Sequence, residues 1–510
     1  MSDFLEEPVN NKNKWLITLT IMLVALLEIL DTTIVNVSLP QIMGSLSVNL
    51  DKITWILTSY IVAAAIVMPL TGFLITRLGC KKLLLINIMG FMISSMLCGL
   101  ANSLLTMVFF RSLQGVFGAS LVPLSQFILR KIFPPEEQGT AMAIWGIGIM
   151  AAPVFGPTIG GLITEYLSWR WVFYINFPLC LISYFLSLKL ISETPVKQQT
   201  IDWLGLIFMA IGIGSLQILL DRGNSVSWFD ASSSWWLLSG AIFGNLLFIY
   251  RSLSISAPIV NLSVFKNKNF ALSTFLMMWF VLSCMGQISL SPLMLQNLLN
   301  YPSLTAGYAM APRGISSMIS MAIAGRLINR YDSRWLLVIA IFFVILGTHE
   351  MAYFTIDMSY RSYFFASCLQ GLGMGMFVVP LATLSMSQLS GDELASGSGL
   401  FGLSRNLGQA FGISITTAFL SRLTQFNWNT LSGYINSFNP NLFRWENTTH
   451  LYLSNPVNLR IIAEKLSAQA QMIAFNDTAY LASYSLLFAL PFIFMLKKPK
   501  VIAKTNMEIH

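Results

Sequence analysis

The segment Glu28-Ile-Leu-Asp31-Thr-Thr-Ile-Val-Asn-Val-Ser-Leu-Pro40 places two carboxylates inside the first long apolar run of the chain. Counted from Ile17 at ~1.5 Å per helical residue, Glu28 lies ~16 Å and Asp31 ~21 Å into that run. Both acids therefore fall near the middle of a hydrocarbon core, which is ~30 Å thick. An ionised acid at that depth costs at least ~2.5 kcal/mol, so a cation or a proton has to neutralise it. Because three residues separate them, the two acids share a helix face, where one partner or one cavity could serve both.

The composition is that of a polytopic membrane protein. Of 510 residues, 55% are hydrophobic and 10% are charged, against about 25% charged in soluble domains. No cleavable signal peptide is expected, because the polar, acidic start leads directly into the first apolar run. Fourteen runs are long enough to cross a bilayer. They are predicted at 15–39, 53–75, 83–102, 104–129, 140–165, 170–192, 202–220, 235–253, 268–294, 303–326, 335–355, 361–386, 395–421 and 477–496.

The basic residues predict the orientation. Most of the 30 Lys and Arg residues fall in the turns and tails of one side. The positive-inside rule then predicts that both termini are cytoplasmic. The net charge of +8 is thus a topology signal, and nucleic-acid binding is not expected, because no soluble basic face carries it.

Two segments repeat along the chain. The turn Gly72–Lys82 has a counterpart at 325–334, an offset of 253 residues, and Gln114-Gly115 has one in Gln370-Gly371, an offset of 256 residues. Both basic turns lie on the same side, which indicates a parallel repeat of two six-helix halves with two helices inserted between them. The predicted units are a cytoplasmic tail (1–14), a first half (15–192), the inserted pair (193–260), a second half (261–496) that includes a long periplasmic loop (422–476), and a second cytoplasmic tail (497–510).

Three arginines lie inside predicted spans: Arg111, Arg313 and Arg405. Arg111 lies ~21 Å from the inner face, which matches the depth of Asp31. Burial disfavours an ionised carboxylate and a nearby cation favours it, so a small rearrangement could move a proton on or off Glu28 or Asp31. A static ion pair between Asp31 and Arg111 is the alternative. Arg313 and Arg405 have no acid at matching depth in their half, so each should face a cavity or cap backbone carbonyls. Contact with a substrate and a purely structural role are both open for them.

Five motifs carry a family resemblance: LDTTIVNVSLP (30–40), GFLITRLGCKK (72–82), RSLQGVFGASLVPLSQ (111–126), APVFGPTIGG (152–161) and WRWVFYINFP (169–178). Together they resemble the major facilitator superfamily, specifically its fourteen-helix drug:proton antiporters of the EmrB/QacA type. The resemblance implies the all-α major facilitator fold and a multi-pass location in the bacterial inner membrane. It assigns Asp31 to the first-helix acid and Arg111 to the fourth-helix arginine of the family.

The resemblance also implies roles for two glycine-rich motifs. Gly156, Pro157, Gly160 and Gly161 correspond to the antiporter motif that bends helix five between the halves, although ordinary close helix packing would use the same residues. Gly72, Arg77, Gly79 and Lys81 correspond to the cytoplasmic-turn motif. The family usually carries an aspartate where this chain has Thr76. The turn therefore lacks the acid that normally supports a gating role, and the sequence does not predict that role here.

Transport by alternating access puts the substrate at the midplane between the halves. The polar residues expected around that cavity are Asn36, Gln114, Gln287, Arg313, Gln370, Arg405 and Asn406. The partners expected are small hydrophobic molecules, protons and the lipid bilayer. The 422–476 loop is interpreted as a docking site for a periplasmic membrane-fusion adaptor, with an outer-membrane channel beyond it, as in Gram-negative members of the family, or as a disordered connector.

The sequence therefore predicts a proton-driven exporter of hydrophobic or amphipathic compounds. The alternatives are an exporter of a specific metabolite, siderophore or fatty acid, an importer by symport, and a membrane receptor that does not transport. No GxxxxGK[ST] nucleotide loop is present, so direct ATP drive is unsupported. No catalytic triad is recognisable, the five cysteines show no CxxC spacing and the three histidines are dispersed. Neither an enzyme, a cofactor nor a metal site is therefore expected.

Overall fold

The computed structural model describes residues 11–48, 50–134, 136–198, 200–255, 258–328, 330–389, 391–436, 439–449 and 455–497. Every regular element within these ranges is a helix, as the all-α prediction requires. The predicted tails lie largely outside the described residues. α1 already begins at Asn11, before the end of the predicted 1–14 tail.

The first-half helices are α1 to α10. Two of the crossings in this half are built from two helices each, because proline removes a backbone donor and interrupts the helix. A 3₁₀ turn at Met68–Leu70, which contains Pro69, joins α3 to α4, and span four breaks between Gly118 and Leu121, just before Pro123. The bounds are α1 (Asn11–Leu46), α2 (Leu50–Ile53), α3 (Trp55–Val67), α4 (Thr71–Leu78), α5 (Cys80–Leu100), α6 (Leu104–Gly118), α7 (Leu121–Ile132), α8 (Gln138–Tyr166), α9 (Trp171–Tyr174) and α10 (Asn176–Leu190).

The inserted pair and the second-half helices follow. The inserted pair is α11 (Trp203–Arg222) and α12 (Ser232–Ser254). The second-half helices are α13 (Lys268–Leu293), α14 (Ser303–Leu327), α15 (Ser333–Met351), α16 (Tyr360–Met386), α17 (Gly391–Ser432), α18 (Pro440–Thr449), α19 (Pro456–Leu487) and α20 (Leu490–Met495).

Twelve helical segments of the described ranges are long and apolar enough to cross a membrane. The helices at the other two predicted crossings, α14 and α17, are long enough, with 25 and 42 residues, but do not meet the apolar criterion. Both are rich in Gly and Ser and carry Arg313 and Arg405. A helix that packs between other helices needs less apolar surface than one that faces lipid. Fourteen crossings and cytoplasmic termini remain predictions.

The internal repeat appears in how the halves pack. Gly115 of α6 lies against the backbone carbonyl of Tyr60 in α3, with no room for a β-carbon. Its counterpart Gly371 of α16 lies in the same way against the carbonyl of Arg313 in α14. Small residues allow such close backbone approach. Each Gln-Gly pair therefore marks an equivalent helix crossing in its half.

The halves meet closely at the side that carries the basic turns, called the basic side from here on. A β-carbon on Gly72 would lie 2.5 Å from the Cα of Ser396 at the start of α17. Lys197, in the segment that follows α10, pairs with Asp392 of α17 at 2.5 Å. These contacts close the basic side.

A buried arginine reinforces this closure. Arg130 of α7 donates to the carbonyl oxygen of Ala382 at 3.0 Å and to that of Thr383. Both carbonyls lie near the end of α16, where the last carbonyls of a helix lack intrahelical donors and carry a partial negative charge. A first-half cation thus binds a second-half helix end.

The inserted pair contacts both halves. Asp202, at the start of α11, pairs with Arg251 of α12 at 2.6 Å. At the other end of α11, Asp221 accepts a hydrogen bond from Thr58 of α3. Ser414 of α17 donates to the carbonyl oxygen of Leu220 at 2.7 Å. α11 is therefore packed against both halves, and α12 packs against α11.

The 422–476 segment contains more helix than the sequence predicts. α17 continues to Ser432, α18 covers Pro440–Thr449, and α19 begins at Pro456. The sequence predicts a helix from about Asn458, because Ile461, Ile462, Leu466, Ala470 and Ile473 fall near one helix face, and α19 agrees with that prediction. A wholly disordered connector does not agree with it.

Candidate functional site

Asp31 of α1 lies at the centre of a buried polar cluster. Its side chain and that of Arg111 in α6 are fully buried, and the guanidinium Nη1 lies 2.6 Å from the Asp31 Oδ2. Two amides donate to the other oxygen: Gln114 Nε2 at 2.9 Å and Asn176 Nδ2 at 2.8 Å. The Asp31 carboxylate thus has one cationic donor and two neutral donors. Arg111 and Gln114 both lie on α6, and Asn176 is the first residue of α10.

Arg111 is held from several directions. Its Nε donates to the carbonyl oxygen of Ile56 at 3.2 Å and its Nη1 also donates to Gln114 Oε1 at 2.6 Å. The guanidinium lies over the Tyr60 ring, 4.6 Å from the ring centroid, a cation–π geometry. Desolvating an arginine is costly unless hydrogen bonds and an opposite charge compensate it, and this cluster supplies both.

Glu28 does not share these partners. It is 7% exposed, and its Oε2 is buried without a hydrogen-bond partner. The cation that acts on it is Arg405 of α17, in the second half, and Gly402, about one turn earlier on α17, lies against Pro123 of α7. This corrects two expectations: one partner does not serve both acids, and Arg405 does have an acid near it, contributed by the other half.

The remaining candidates around the midplane fall into two groups. Gln287, Arg313 and Gln370 are buried inside the second half. Gln287 donates to Thr478 of α19 at 2.8 Å, and Arg313 donates to Tyr363 at 3.3 Å and to Ser291 at 3.4 Å.

The second group is accessible. Asn36 is exposed, and Arg405 and Asn406 are partly exposed. Asn406 reaches across to the first half, where its amide lies 3.7 Å from the Met68 sulfur. Solvent access at Arg405 and Asn406 distinguishes them from the three buried residues of the second half.

The glycines of the 152–161 motif pack mainly within the first half. A β-carbon on Gly156 would overlap Thr33 of α1, and one on Gly160 would lie 3.1 Å from Ile34. Gly161 has nothing within 4 Å of that position, and the Pro157 side chain is outside the described ones. The face of α8 that meets α14 of the second half includes Val154, which lies against Gly314. The glycines at 156 and 160 therefore face α1, whereas Val154 of the same motif faces the second half.

This geometry makes a matched pair of variants informative. We expect Gly156→Ala to destabilise the protein by ~1–3 kcal/mol, because the added methyl group is forced into α1 beside the acids. Gly161→Ala, in the same helix, should leave the stability unchanged, because its methyl group meets open space. Thermal unfolding of the two purified variants in one detergent measures the difference. Equal melting temperatures would contradict the packing described for Gly156.

The cytoplasmic-turn motif is stabilised without its usual acid. Gly79 has φ +82°, a conformation that favours glycine. Thr76 donates to the Gly72 carbonyl oxygen at 3.0 Å, and its own carbonyl accepts from the Lys197 backbone at 2.9 Å. The Lys81 backbone N–H donates to Glu193 at 3.2 Å. The turn is thus fixed to the 193–197 segment, while the Arg77 side chain is exposed.

Sequence reasoning missed Asn176 and Tyr60. Asn176 lies within the motif WRWVFYINFP and is fully buried, and it donates to both Asp31 and Ser95. A single amide in an apolar motif before a proline was the available signal. Tyr60 is buried, with its hydroxyl unpaired, and nothing in the sequence separates it from the other tyrosines.

The chemistry open to this cluster follows from its charged side chains. Among the described residues, no group of three or more His, Cys, Asp or Glu side chains is suited to a metal ion. The five cysteines are free, and four of them are buried. What the cluster can do chemically is exchange protons and rearrange ion pairs.

Comparisons with known proteins agree with this architecture. The family model described as Major Facilitator Superfamily matches residues 21–413. The chain is 32% identical to the Multidrug export protein EmrB of Haemophilus influenzae over 96% of this chain and 97% of that protein. It is 35% identical to the Fatty acid resistance protein FarB of Neisseria gonorrhoeae over 95% and 96%.

A solved structure shares the fold. The crystal structure of the human organic anion transporter MFSD10 superposes with a TM-score of 0.62 at 13% identity, over 93% of this chain and 99% of that one. At that identity the likeness concerns the fold alone. The extent of the family match and of the bacterial relatives settles the classification: the chain is a multi-pass membrane protein that belongs to the Major Facilitator Superfamily of transporters.

Proposed function

We propose that this chain exports hydrophobic and amphipathic small molecules in exchange for protons, by alternating access across a bacterial inner membrane, with both termini in the cytoplasm. The observation that carries the proposal is the fully buried Asp31–Arg111 pair, with Glu28 one helical turn before it. Ionisable groups at this depth are costly and serve ion pathways in transporters. The name of the EmrB relative, a multidrug export protein, supports multidrug export.

We assign proton coupling to the site that contains Glu28, Asp31 and Arg111. Substrate contact is assigned first to Arg405, Asn406 and Asn36, because they are accessible. Gln114, Gln287, Arg313 and Gln370 lie behind them and fix the helices that line the cleft. Gly156 and Gly160 let α8 pack closely against α1, so that the two helices move together when the halves rock.

A second candidate substrate class is long-chain fatty acids. The 35% identity to the Fatty acid resistance protein FarB supports it. Arg405 could pair with a carboxylate, because its side chain is partly exposed and an arginine keeps its charge at any physiological pH.

The test is the susceptibility of a strain that lacks this gene. With ethidium and with oleate as probes, we expect the deletion to lower the tolerated concentration of at least one severalfold, and a plasmid copy to restore it. A protonophore should raise the intracellular level of that probe only in the complemented strain. Unchanged susceptibility to both probes, or accumulation that ignores the protonophore, would contradict the proposal.

We also propose that the outer segment between α17 and α19 docks a periplasmic adaptor, which would connect the transporter to an outer-membrane channel. α17 extends to Ser432, and its outer end exposes Phe426 and Trp428. Phe443 of α18 is exposed as well. Exposed aromatic residues beyond the apolar runs are typical of protein contact surfaces.

Removing residues 433–455 should separate docking from transport. We expect the deletion to abolish resistance in cells, while the purified variant still moves the same probe in proteoliposomes. In the deletion variant a Gly-Ser connector spans the same distance between α17 and α19. The control variant keeps a segment of the original length, with residues 433–455 in scrambled order. Full resistance in cells would exclude docking through this segment.

A further inference from the structure

The two acids of α1 differ in how completely they are satisfied. Asp31 accepts three hydrogen bonds, from Arg111, Gln114 and Asn176. Adding a proton to it would remove its attraction to Arg111 and leave that guanidinium buried without a counter-charge, which is strongly unfavourable. Asp31 is therefore poorly suited to gain and lose a proton in each cycle.

Glu28 is placed differently. Its Oε2 is buried and has no hydrogen-bond partner, so a proton bound there would break no hydrogen bond. Val122, in the first turn of α7 and at the helix break of span four, lies close enough for its backbone N–H to favour the carboxylate form. A carboxyl group can therefore occupy this position in either protonation state.

The charged and titratable groups that face Glu28 come from three helices. Asp31 lies on its own helix, Tyr60 on α3, and Arg405 on α17. Among them only Arg405 belongs to the second half and is a cation. No ion pair within 4 Å joins Glu28 to Arg405 in the described part of the chain, so their separation can shorten or lengthen as the halves move.

We propose that Glu28 carries the exchanged proton and that Arg405 displaces it, whereas Asp31 and Arg111 form a fixed pair that positions α1. This rests on the proposed function and deepens it. From outer water a proton binds Glu28 Oε2 and forms an O–H bond. When the halves bring Arg405 closer, that O–H bond breaks, the proton leaves to water on the basic side, and the carboxylate pairs with the guanidinium.

Dicyclohexylcarbodiimide tests this without any substrate, because it reacts with protonated carboxyl groups in apolar surroundings. The full-length protein in detergent is labelled at pH 5, 7 and 9, and the modified peptides are quantified by mass spectrometry. We expect label on Glu28 that decreases severalfold from pH 5 to pH 9, with at least tenfold less on Asp31. Arg405→Gln should raise the labelling of Glu28 at pH 9 severalfold, because loss of the cation favours the protonated acid.

Label on Asp31 in place of Glu28, or on neither residue at any of the three pH values, would overturn the assignment. A pH profile that Arg405→Gln leaves unchanged would overturn the role of the arginine. Arg313→Gln is the matched control, because it removes a buried arginine of the same half that lies away from Glu28. None of these results depends on export, so the proposal can fail while proton-driven transport by the wild-type protein still stands.

Discussion

Asp31→Asn and Arg111→Gln will each destabilise the protein by ~3–5 kcal/mol, because each leaves a charge buried without its counter-charge. Asp31→Asn leaves Arg111 with Gln114 and the Ile56 carbonyl as neutral acceptors. Arg111→Gln leaves Asp31 with the Gln114 and Asn176 amides. Neutral partners recover only part of the lost interaction. Both variants should also lose export, because α1 and α6 no longer hold their relative positions.

The double variant Asp31→Asn/Arg111→Gln should be more stable than either single variant, since it removes both charges together. Unfolding of the four proteins in one detergent gives the coupling free energy. We expect a large coupling free energy: the double variant should lose much less stability than the two single variants lose together. Additive effects would show that the pair at 2.6 Å contributes no mutual stabilisation.

Glu28→Gln will separate substrate movement from proton movement. Glutamine keeps the size of the side chain and mimics the protonated acid, so the halves can still rock, but no proton can be released. In proteoliposomes we expect a pH gradient to drive no accumulation of the probe, while exchange of labelled for unlabelled probe persists.

Stability should change little in this variant, because the Glu28 carboxylate has no ion pair to lose within the described residues. Glu28→Asp is the matched control: it keeps an ionisable group, one methylene shorter, and should retain part of the gradient-driven transport. Accumulation by Glu28→Gln at the wild-type rate would rule out Glu28 as the proton carrier.

Much of the fold could be predicted from the sequence. Apolar run length predicts the positions of the long helices, and the internal repeat predicts that Gly115 and Gly371 occupy equivalent helix–helix contacts. The matching depths of Asp31 and Arg111 predict their pairing, which the structure shows at 2.6 Å. These predictions succeed because depth in a membrane follows from residue count alone.

The partner of Glu28 could not be predicted in this way. Depth places a residue along the membrane normal and says nothing of the direction in which it faces within the bundle. Arg405 is 377 positions later in the chain, and its approach to Glu28 depends on how α17 packs against the first half. The extra helix length of α17, which continues to Ser432, was missed for another reason: this segment is polar, and hydropathy identifies only the part of a helix that lies in lipid.

The central claim, that this transporter couples export to protons through the first helix, is tested most directly by proton release from the purified protein. Wild-type protein in weakly buffered detergent solution, mixed with a probe that it exports, should release protons detected by a soluble pH indicator, and Glu28→Gln should release none. Release by both proteins would show that the proton comes from elsewhere. A wild-type protein that binds the probe and releases no proton would contradict the exchange mechanism itself.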